Sequence, residues 1–241
     1  MHIYRINFLF LMLVAISNAY ASYYPTSSWE ISSPEDQQVR ADNVDALVNL
    51  AFLDDSTQAV VVIKNGKIIS EKYAEGYDKN SHGTSWSMAK SYYAALIGIS
   101  IDKGEIGSLD DKVGDYLTYF NDERSEITIR DLLDMSSGLD FPKDEHETMF
   151  FQEDHLKYAM GVGVEKSAGL KFEYNNVNSM LLGDILIAAT GKKADLLLKE
   201  RILDHIGVTD YKLWKDENGN VLTYCCVDMS ARDYSKIGLL F

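Results

Sequence analysis

Two patterns of hydrophobic and polar positions predict the first elements of this chain. After Ser33-Pro34-Glu35, where a capping serine, a proline and an acid mark a helix start, the pattern predicts a helix to about Leu53. Two β-branched runs, residues 59–64 and 67–70, then flank Asn65-Gly66. Because Asn-Gly is a strong signal for a two-residue hairpin turn, we expect an antiparallel pair of strands here.

Helical spacing dominates the rest of the chain. Residues 92–99 are apolar almost without interruption and predict a buried helix that begins near Ser87, whereas residues 104–120 read as a loop with short turns. Five more helices are predicted: one capped by Thr128 with Asp131, one at about 150–160, one ending at Gly191, one at about 194–203, and one capped by Ser230 with Asp233.

The first 21 residues have the pattern of a cleavable secretory signal. Arg5 precedes an apolar stretch over residues 6–16, and Ala19-Tyr20-Ala21 supplies small residues for cleavage after Ala21. The alternative is a membrane anchor, but this stretch is shorter than the about 20 residues that span a bilayer. We therefore expect a periplasmic or secreted protein with one mature domain, residues 22–241.

Charge and cysteine content narrow the classes of partner. The net charge is −14, and removal of the leader with Arg5 makes it −15, which argues against nucleic acid or an anionic membrane as a partner. The two cysteines, Cys225 and Cys226, are adjacent and lack metal-site spacing. We expect buried free thiols rather than a strained vicinal disulfide, and nothing indicates a metal, a cofactor or an oligomeric state.

Ser87-Met88-Ala89-Lys90 carries the candidate chemistry. A serine hydroxyl is a poor nucleophile until a base removes its proton. Residues i and i+3 share a helix face, so Lys90 can reach the Ser87 oxygen. Lysine can accept that proton only if its pKa falls well below the usual value of about 10.4, which burial or a nearby positive charge would bring about. The pattern predicts a serine nucleophile with a lysine base.

The same pattern recurs at Ser100-Ile101-Asp102-Lys103, and position separates the two. Ser87 follows a polar loop and opens a helix, where backbone N–H groups and the helix dipole favour negative charge. Ser100 lies at the opposite end, before the stop signal Lys103-Gly104. Ser85 nearly matches a nucleophile elbow, but Ser87 stands where the closing glycine should be, which counts against Ser85.

A second proton carrier is predicted at Tyr174-Asn175-Asn176. Tyr119-Phe120-Asn121 has the same pattern, but Tyr119 lies among turns, whereas Tyr174 follows a glycine turn and precedes an apolar helix. If Lys90 and Tyr174 are close, they titrate as a coupled pair. Asn176 is either a substrate-orienting amide or a helix cap, and His155 is interpreted as a surface or boundary histidine.

These motifs, in this order, resemble the serine β-lactamase-related and penicillin-binding family, especially its class C and esterase-like branch. Residues 127–139 and 172–174, together with 224–226 and 230–233, look most like members described as 6-aminohexanoate-dimer hydrolases. The segments that carry the resemblance are the hairpin and residues 87–91, 104–111, 127–139, 172–174, 224–226 and 230–233.

The resemblance implies an α+β, β-lactamase/transpeptidase-like fold, in which helices flank an antiparallel sheet beside a helical subdomain. It implies an exported serine hydrolase of amides or esters, with a small molecule or peptide as substrate. Ser87 would be the acylated nucleophile, Lys90 its base, Tyr174 the acid and base for the leaving group and water, and Asn176 a substrate-binding amide. The Ser87 N–H would supply one oxyanion donor.

The family's third motif, Lys/His-x-Gly on a late strand, is not visible. Its short matches are Lys64-Asn65-Gly66 in the hairpin turn, His205-Ile206-Gly207 at a helix end and Lys236-Ile237-Gly238 inside the last helix. We therefore expect a C-terminally truncated domain that lacks the late strands and the final helix. The alternatives are an inactive remnant or cell-wall-peptide-binding module, and a D-alanyl-D-alanine carboxypeptidase or β-lactamase activity in a longer parent chain.

Overall fold

The computed structural model of the protein describes residues 24–140 and 148–241. The predicted signal, residues 1–21, lies outside this part of the chain, as do residues 141–147. Across the two described ranges, no helix is long and apolar enough to cross a membrane.

The described residues contain seven α-helices and five strands, besides short 3₁₀ and π-type turns. In chain order they are α1 (Ala41–Ala51), β1 (Ala59–Lys64), β2 (Lys67–Tyr73), β3 (His82–Thr84), α2 (Ala89–Asp102), α3 (Ile129–Leu133), α4 (His155–Gly161), α5 (Asn176–Thr190), α6 (Ala194–Leu198), β4 (Lys212–Leu213), β5 (Val227–Ser230) and α7 (Ala231–Gly238).

Helices α2 and α5 pack against each other at the centre of the main core. Both are apolar on nearly every side, so Leu96 and Ile97 of α2 and Ile185 of α5 are fully buried. Burial of one such side chain contributes about 1.5–3 kcal/mol. At Gly183 of α5, a Cβ would lie 2.7 Å from the Thr223 side chain. Helix α5 therefore approaches closely the segment that leads into β5.

The predicted hairpin is confirmed. Strands β1 and β2 pair antiparallel, with Lys64 opposite Lys67. Asn65 and Gly66 both have positive φ, 52° and 75°, as a two-residue type I′ turn requires. Val44 and Val48 of α1 pack with Ile69 in a small second core under this hairpin.

A second sheet was missed by sequence reasoning. Its three strands have the order β3-β5-β4 and are all antiparallel, with Gly83 opposite Met229 and Lys212 opposite Asp228. Each strand is only two to four residues long, too short to show an alternating pattern.

Local capping signals located several helix ends correctly. Thr128 and Asp131 form the predicted capping box of α3. Gly191, with φ 71°, ends α5, and the Ser230 side chain accepts a hydrogen bond from the Asp233 N–H to cap α7.

Three predicted helices are interrupted. The first contains a short 3₁₀ turn, Glu35–Gln37, and then breaks because Gln38 adopts a left-handed conformation, so α1 begins only at Ala41. The second divides into a 3₁₀ turn, Met149–Phe151, and α4, which Asp154 caps. The third continues beyond α6 as a wider π-type turn, Lys199–Leu203.

Candidate active site

Ser87 lies in a 3₁₀ turn, Trp86–Met88, that runs directly into α2. Ser87 is exposed, and it lies at the N-terminal end of this helix, where the sequence predicts it. Trp86 has a φ of 45°, a left-handed conformation that is unfavourable for a bulky residue and persists only where the surroundings enforce it.

Strand β5 and the residue before it hold this turn in place. The Ser85 N–H donates to the Val227 carbonyl, the Val227 N–H donates to Ser85 Oγ, both at 2.9 Å, and the Cys226 N–H donates to the Trp86 carbonyl at 3.1 Å. Ser85 is buried and its hydroxyl is occupied by this contact. Ser85 is thus a structural clamp, which agrees with the choice of Ser87 over Ser85.

Lys90 lies against Ser87. Its Nζ donates to Ser87 Oγ at 3.0 Å and to the main-chain carbonyl of Tyr224 at 2.7 Å. Burial lowers the pKa of Lys90 below its usual range, partly offset by the hydrogen bond and charge of Tyr174. A lysine with a lowered pKa is more readily neutral, which is the form that can accept a proton.

Tyr174 completes the group, and its side chain is 43% exposed. The Lys90 Nζ lies 4.9 Å from the centre of the Tyr174 ring. Burial alone would raise the pKa of Tyr174, but hydrogen bonding with Lys90 and Ser87 and the charge of Lys90 outweigh it and lower that pKa. The structure therefore brings Ser87, Lys90 and Tyr174 together, with the pKa values of both proton carriers displaced downward.

Asn176 is the first residue of α5, and the residue that caps this helix is the preceding one, Asn175. Asn175 Oδ1 accepts a hydrogen bond from the Val177 N–H at 2.8 Å, so the alternative that Asn176 caps this helix is wrong. Asn176 Oδ1 is buried and has no hydrogen-bond partner among the described residues. Such an oxygen costs about 1–3 kcal/mol unless another molecule pairs with it.

The competing serine and tyrosine motifs lie in structural contacts. Ser100 is fully buried, and its hydroxyl accepts a hydrogen bond at 2.9 Å from Arg201, which also pairs with Glu105. The Tyr119 hydroxyl donates to Asp184 at 2.9 Å. The sequence analysis favours Ser87 over Ser100 because Ser100 lies at the C-terminal end of its helix. It favours Tyr174 over Tyr119 because Tyr119 lies among turns and does not precede an apolar helix.

The interpretation of His155 as a surface or boundary residue is wrong. His155 is the first residue of α4, is only 4% exposed, and lies with its Nδ1 3.0 Å from the Tyr224 hydroxyl. Burial lowers the pKa of His155. A single histidine in a polar stretch carries no sequence signal for this contact, because its partner is 69 residues away.

The segment 224–226 belongs to the family resemblance, which assigns it no role. Here Tyr224 supplies the carbonyl that receives Lys90, and Cys225 and Cys226 form a vicinal disulfide. Both cysteines are buried, as expected, but the expectation of free thiols is wrong. Cys226 has a φ of 72°, so the chain turns sharply here and brings the two adjacent sulfurs together.

The three short Lys/His-x-Gly matches have structural roles. Lys64 to Gly66 form the hairpin turn, and His205 to Gly207 follow the π-type turn after α6. Lys236 is buried in α7, with its ammonium 3.0 Å from Asp233. In the part of the chain that the structure describes, no cluster of three or more histidine, cysteine, aspartate or glutamate side chains is placed to hold a metal ion.

The chain belongs to the Beta-lactamase family, whose sequence model matches residues 53–224. The predicted resemblance is thus confirmed. The N-acetylmuramyl-L-alanine amidase of Bacillus subtilis (strain 168) is 25% identical over 174 residues, which are 59% of this chain and 39% of the amidase.

Solved structures confirm the predicted fold. A Bacillus anthracis protein described as a 6-aminohexanoate-dimer hydrolase superimposes with a TM-score of 0.71 at 21% identity, over 90% of this chain and 62% of the other. The D-alanine carboxypeptidase AmpC of Burkholderia cenocepacia gives 0.64 at 16% identity, over 86% and 64%. The chain thus spans less than two thirds of the length of each of these relatives.

Proposed function

We propose that this chain is a serine hydrolase that cleaves an amide or ester bond through an acyl-enzyme on Ser87. The observation that carries the proposal is the 3.0 Å hydrogen bond between Lys90 Nζ and Ser87 Oγ. Ser87 is exposed to an incoming substrate, and Tyr174 lies beside both Lys90 and Ser87. A nucleophile, a base and a second proton carrier are the groups that acyl transfer needs.

In the acylation step, neutral Lys90 takes the hydroxyl proton as Ser87 Oγ attacks the substrate carbonyl carbon. Negative charge develops on the carbonyl oxygen near the start of α2, where the Ser87 N–H is a donor. Tyr174 then gives a proton to the departing amine or alcohol, which leaves the acyl group on Ser87.

In deacylation, water attacks the ester and Tyr174, now deprotonated, accepts its proton. The Ser87–acyl bond breaks, and Ser87 recovers its proton through Lys90. Asn176, whose buried Oδ1 lacks a partner among the described residues, hydrogen-bonds the substrate during both steps.

Cell-wall peptides are the substrates to test first. One relative is named an N-acetylmuramyl-L-alanine amidase and one structural neighbour a D-alanine carboxypeptidase. Another neighbour is described as a 6-aminohexanoate-dimer hydrolase, so short amides and esters form the second group. The proposal includes export of the protein through residues 1–21.

A binding module without turnover is the second candidate function. It is favoured by one observation: each Lys/His-x-Gly match in the described chain has a structural role, so none supplies the second oxyanion donor. Such a module would bind a cell-wall peptide reversibly and form no covalent adduct.

Intact-mass measurement with a fluorophosphonate and with benzylpenicillin distinguishes the two. We expect one probe per chain for the purified protein, none for Ser87→Ala, and one for Ser91→Ala, a control that alters an exposed hydroxyl of the same helix. Equal labelling of the Ser87→Ala protein would refute the proposal. Saturable peptide binding with no adduct on the unmodified protein would favour the binding module.

A further inference from the structure

Tyr224 contacts Lys90 in two ways. Its carbonyl oxygen accepts the 2.7 Å hydrogen bond from Lys90 Nζ, and the centre of its ring lies 5.7 Å from the same atom. Tyr224 is only 3% exposed. The position of this one residue therefore helps to determine where the Lys90 amine lies relative to Ser87.

The Tyr224 carbonyl lies outside the regular strand, because β5 begins only at Val227. Contacts on either side anchor the backbone. Thr223 Oγ1 donates to the Ser179 carbonyl of α5 at 2.6 Å, and the Cys226 N–H donates to the Trp86 carbonyl of the nucleophile turn. The N–H of the same peptide group, that of Cys225, donates to the Leu222 carbonyl at 3.1 Å. The Tyr224 side chain adds a further tether close to the carbonyl that Lys90 contacts.

That tether ends on His155. The Tyr224 hydroxyl and His155 Nδ1 are 3.0 Å apart in a buried contact, and the two ring centres are 6.0 Å apart. Burial raises the pKa of Tyr224 and lowers the pKa of His155. Both groups are therefore neutral near pH 7, and in the tautomer of His155 that carries its proton on Nε2 the hydroxyl donates and Nδ1 accepts.

His155 is itself fixed. Its backbone N–H donates to Asp216 Oδ2 at 2.9 Å, and its ring contacts that of Phe150 at 6.2 Å between centres. A buried hydroxyl without a partner costs about 1–3 kcal/mol, so this single acceptor constrains the Tyr224 ring more than packing alone would.

We propose that His155 is a positioning residue for the reaction at Ser87: through the Tyr224 hydroxyl, it holds the Tyr224 carbonyl in the place that sets the geometry of Lys90. This inference rests on the proposed function for its catalytic consequence. Its structural core, a chain of contacts from His155 through Tyr224 to Lys90, can be tested without turnover.

Three variants separate positioning from packing. Tyr224→Phe removes one oxygen and keeps the ring, and His155→Leu removes the acceptor. His155→Asn is the conservative variant, because its amide oxygen can occupy the place of Nδ1. Unfolding midpoints in urea verify that each variant is folded, and Tyr224→Phe keeps the test informative if His155→Leu is not.

The first readout is the titration of Lys90, followed by NMR of the protein with 13C at lysine Cε. Loosening of the Tyr224 carbonyl removes a hydrogen bond that favours the charged amine, so we expect the pKa of Lys90 to fall by about 1 unit in Tyr224→Phe and His155→Leu. In His155→Asn it should match the wild type. An unchanged Lys90 titration in the folded Tyr224→Phe protein would overturn the inference.

The second readout is fluorophosphonate labelling of Ser87. Measured at a pH above the Lys90 titration, where the amine is neutral in every variant, the limiting labelling rate should fall about 10-fold in Tyr224→Phe and His155→Leu with unchanged half-saturation, because the amine is displaced from Ser87 Oγ. His155→Asn should restore it, and the double variant should be no slower than either single one. Additive losses, or no rescue by asparagine, would count against positioning. Absence of labelling in the wild type would refute the proposed function, and the Lys90 titration would still decide the inference.

Discussion

The two ends of α2 carry the same four-residue pattern and have opposite roles. At the N-terminal end, Ser87 is exposed and Lys90 is packed between two tyrosine rings, with its Nζ on the serine oxygen. At the C-terminal end, Ser100 is fully buried under Arg201, and Lys103 is exposed. The spacing of the pattern allows the lysine to contact the serine. The surroundings of each pair determine whether that contact can serve a reaction.

The largest effect should come from the two lysines. We expect Lys90→Met to slow fluorophosphonate labelling of Ser87 by at least about 10²-fold, because the base that removes the hydroxyl proton is lost. Lys103→Met should label within about twofold of the wild type, since an exposed amine contributes little. Equal slowing of labelling in both variants would contradict the different roles assigned to Lys90 and Lys103.

The two tyrosine motifs allow a second comparison. Tyr174→Phe should reduce hydrolysis of an amide or ester substrate by roughly 10–10²-fold through loss of a proton carrier. Tyr119→Phe should leave hydrolysis unchanged and lower the free energy of unfolding by about 1–3 kcal/mol, because Asp184 loses its donor. Assays of turnover and urea unfolding on both proteins should show reduced turnover in Tyr174→Phe and reduced stability in Tyr119→Phe. Loss of turnover in Tyr119→Phe alone would contradict it.

The two serines should differ in stability. Ser100→Ala removes a buried acceptor of Arg201, and we expect it to lower the free energy of unfolding by about 1 kcal/mol. Ser87→Ala alters an exposed side chain and should stay within about 0.5 kcal/mol of the wild type. Urea unfolding at neutral pH measures both. A larger loss for Ser87→Ala would mean that its hydroxyl is a structural group.

The smallest effect concerns pH. Burial lowers the pKa of Lys90 from its ordinary value of 10.5 in the folded protein. Between that lowered value and 10.5, the unfolded chain binds more protons, so this group makes the folded state more stable as pH rises. As pH rises through this window, the wild type should therefore gain stability relative to Lys90→Met. The stability of Lys103→Met should change with pH as that of the wild type does. Urea titrations at several pH values test this, and parallel curves for all three proteins would contradict it.

Features set by neighbouring residues could be predicted from the sequence. The Asn65-Gly66 turn, the Thr128 capping box and the Gly191 helix end each depend on residues within one or two turns of the chain. Ser87 and Lys90 belong with them, because their contact spans three residues. Tyr174 needed the ordered motifs of a known family, since no local signal joins it to Lys90.

Features set by distant contacts could not be predicted. Strands β3, β4 and β5 are too short for a pattern, and β3 forms by pairing with β5, which lies more than 100 residues away along the chain. His155 and Tyr224 gave no signal because a hydrogen bond between distant buried side chains has no sequence period. The Cys225–Cys226 bond depends on the positive φ of Cys226, which a non-glycine residue does not reveal in advance.

The clamp between Ser85 and Val227 has a consequence for the order in which the molecule folds. These residues are 142 positions apart, so the turn that exposes Ser87 is fixed only after a very long loop has closed. Contacts of such high sequence separation form slowly compared with local ones. During synthesis, Ser87 and Lys90 emerge long before Val227. Ser87 is therefore synthesised early, but the turn that holds it is fixed only late in folding.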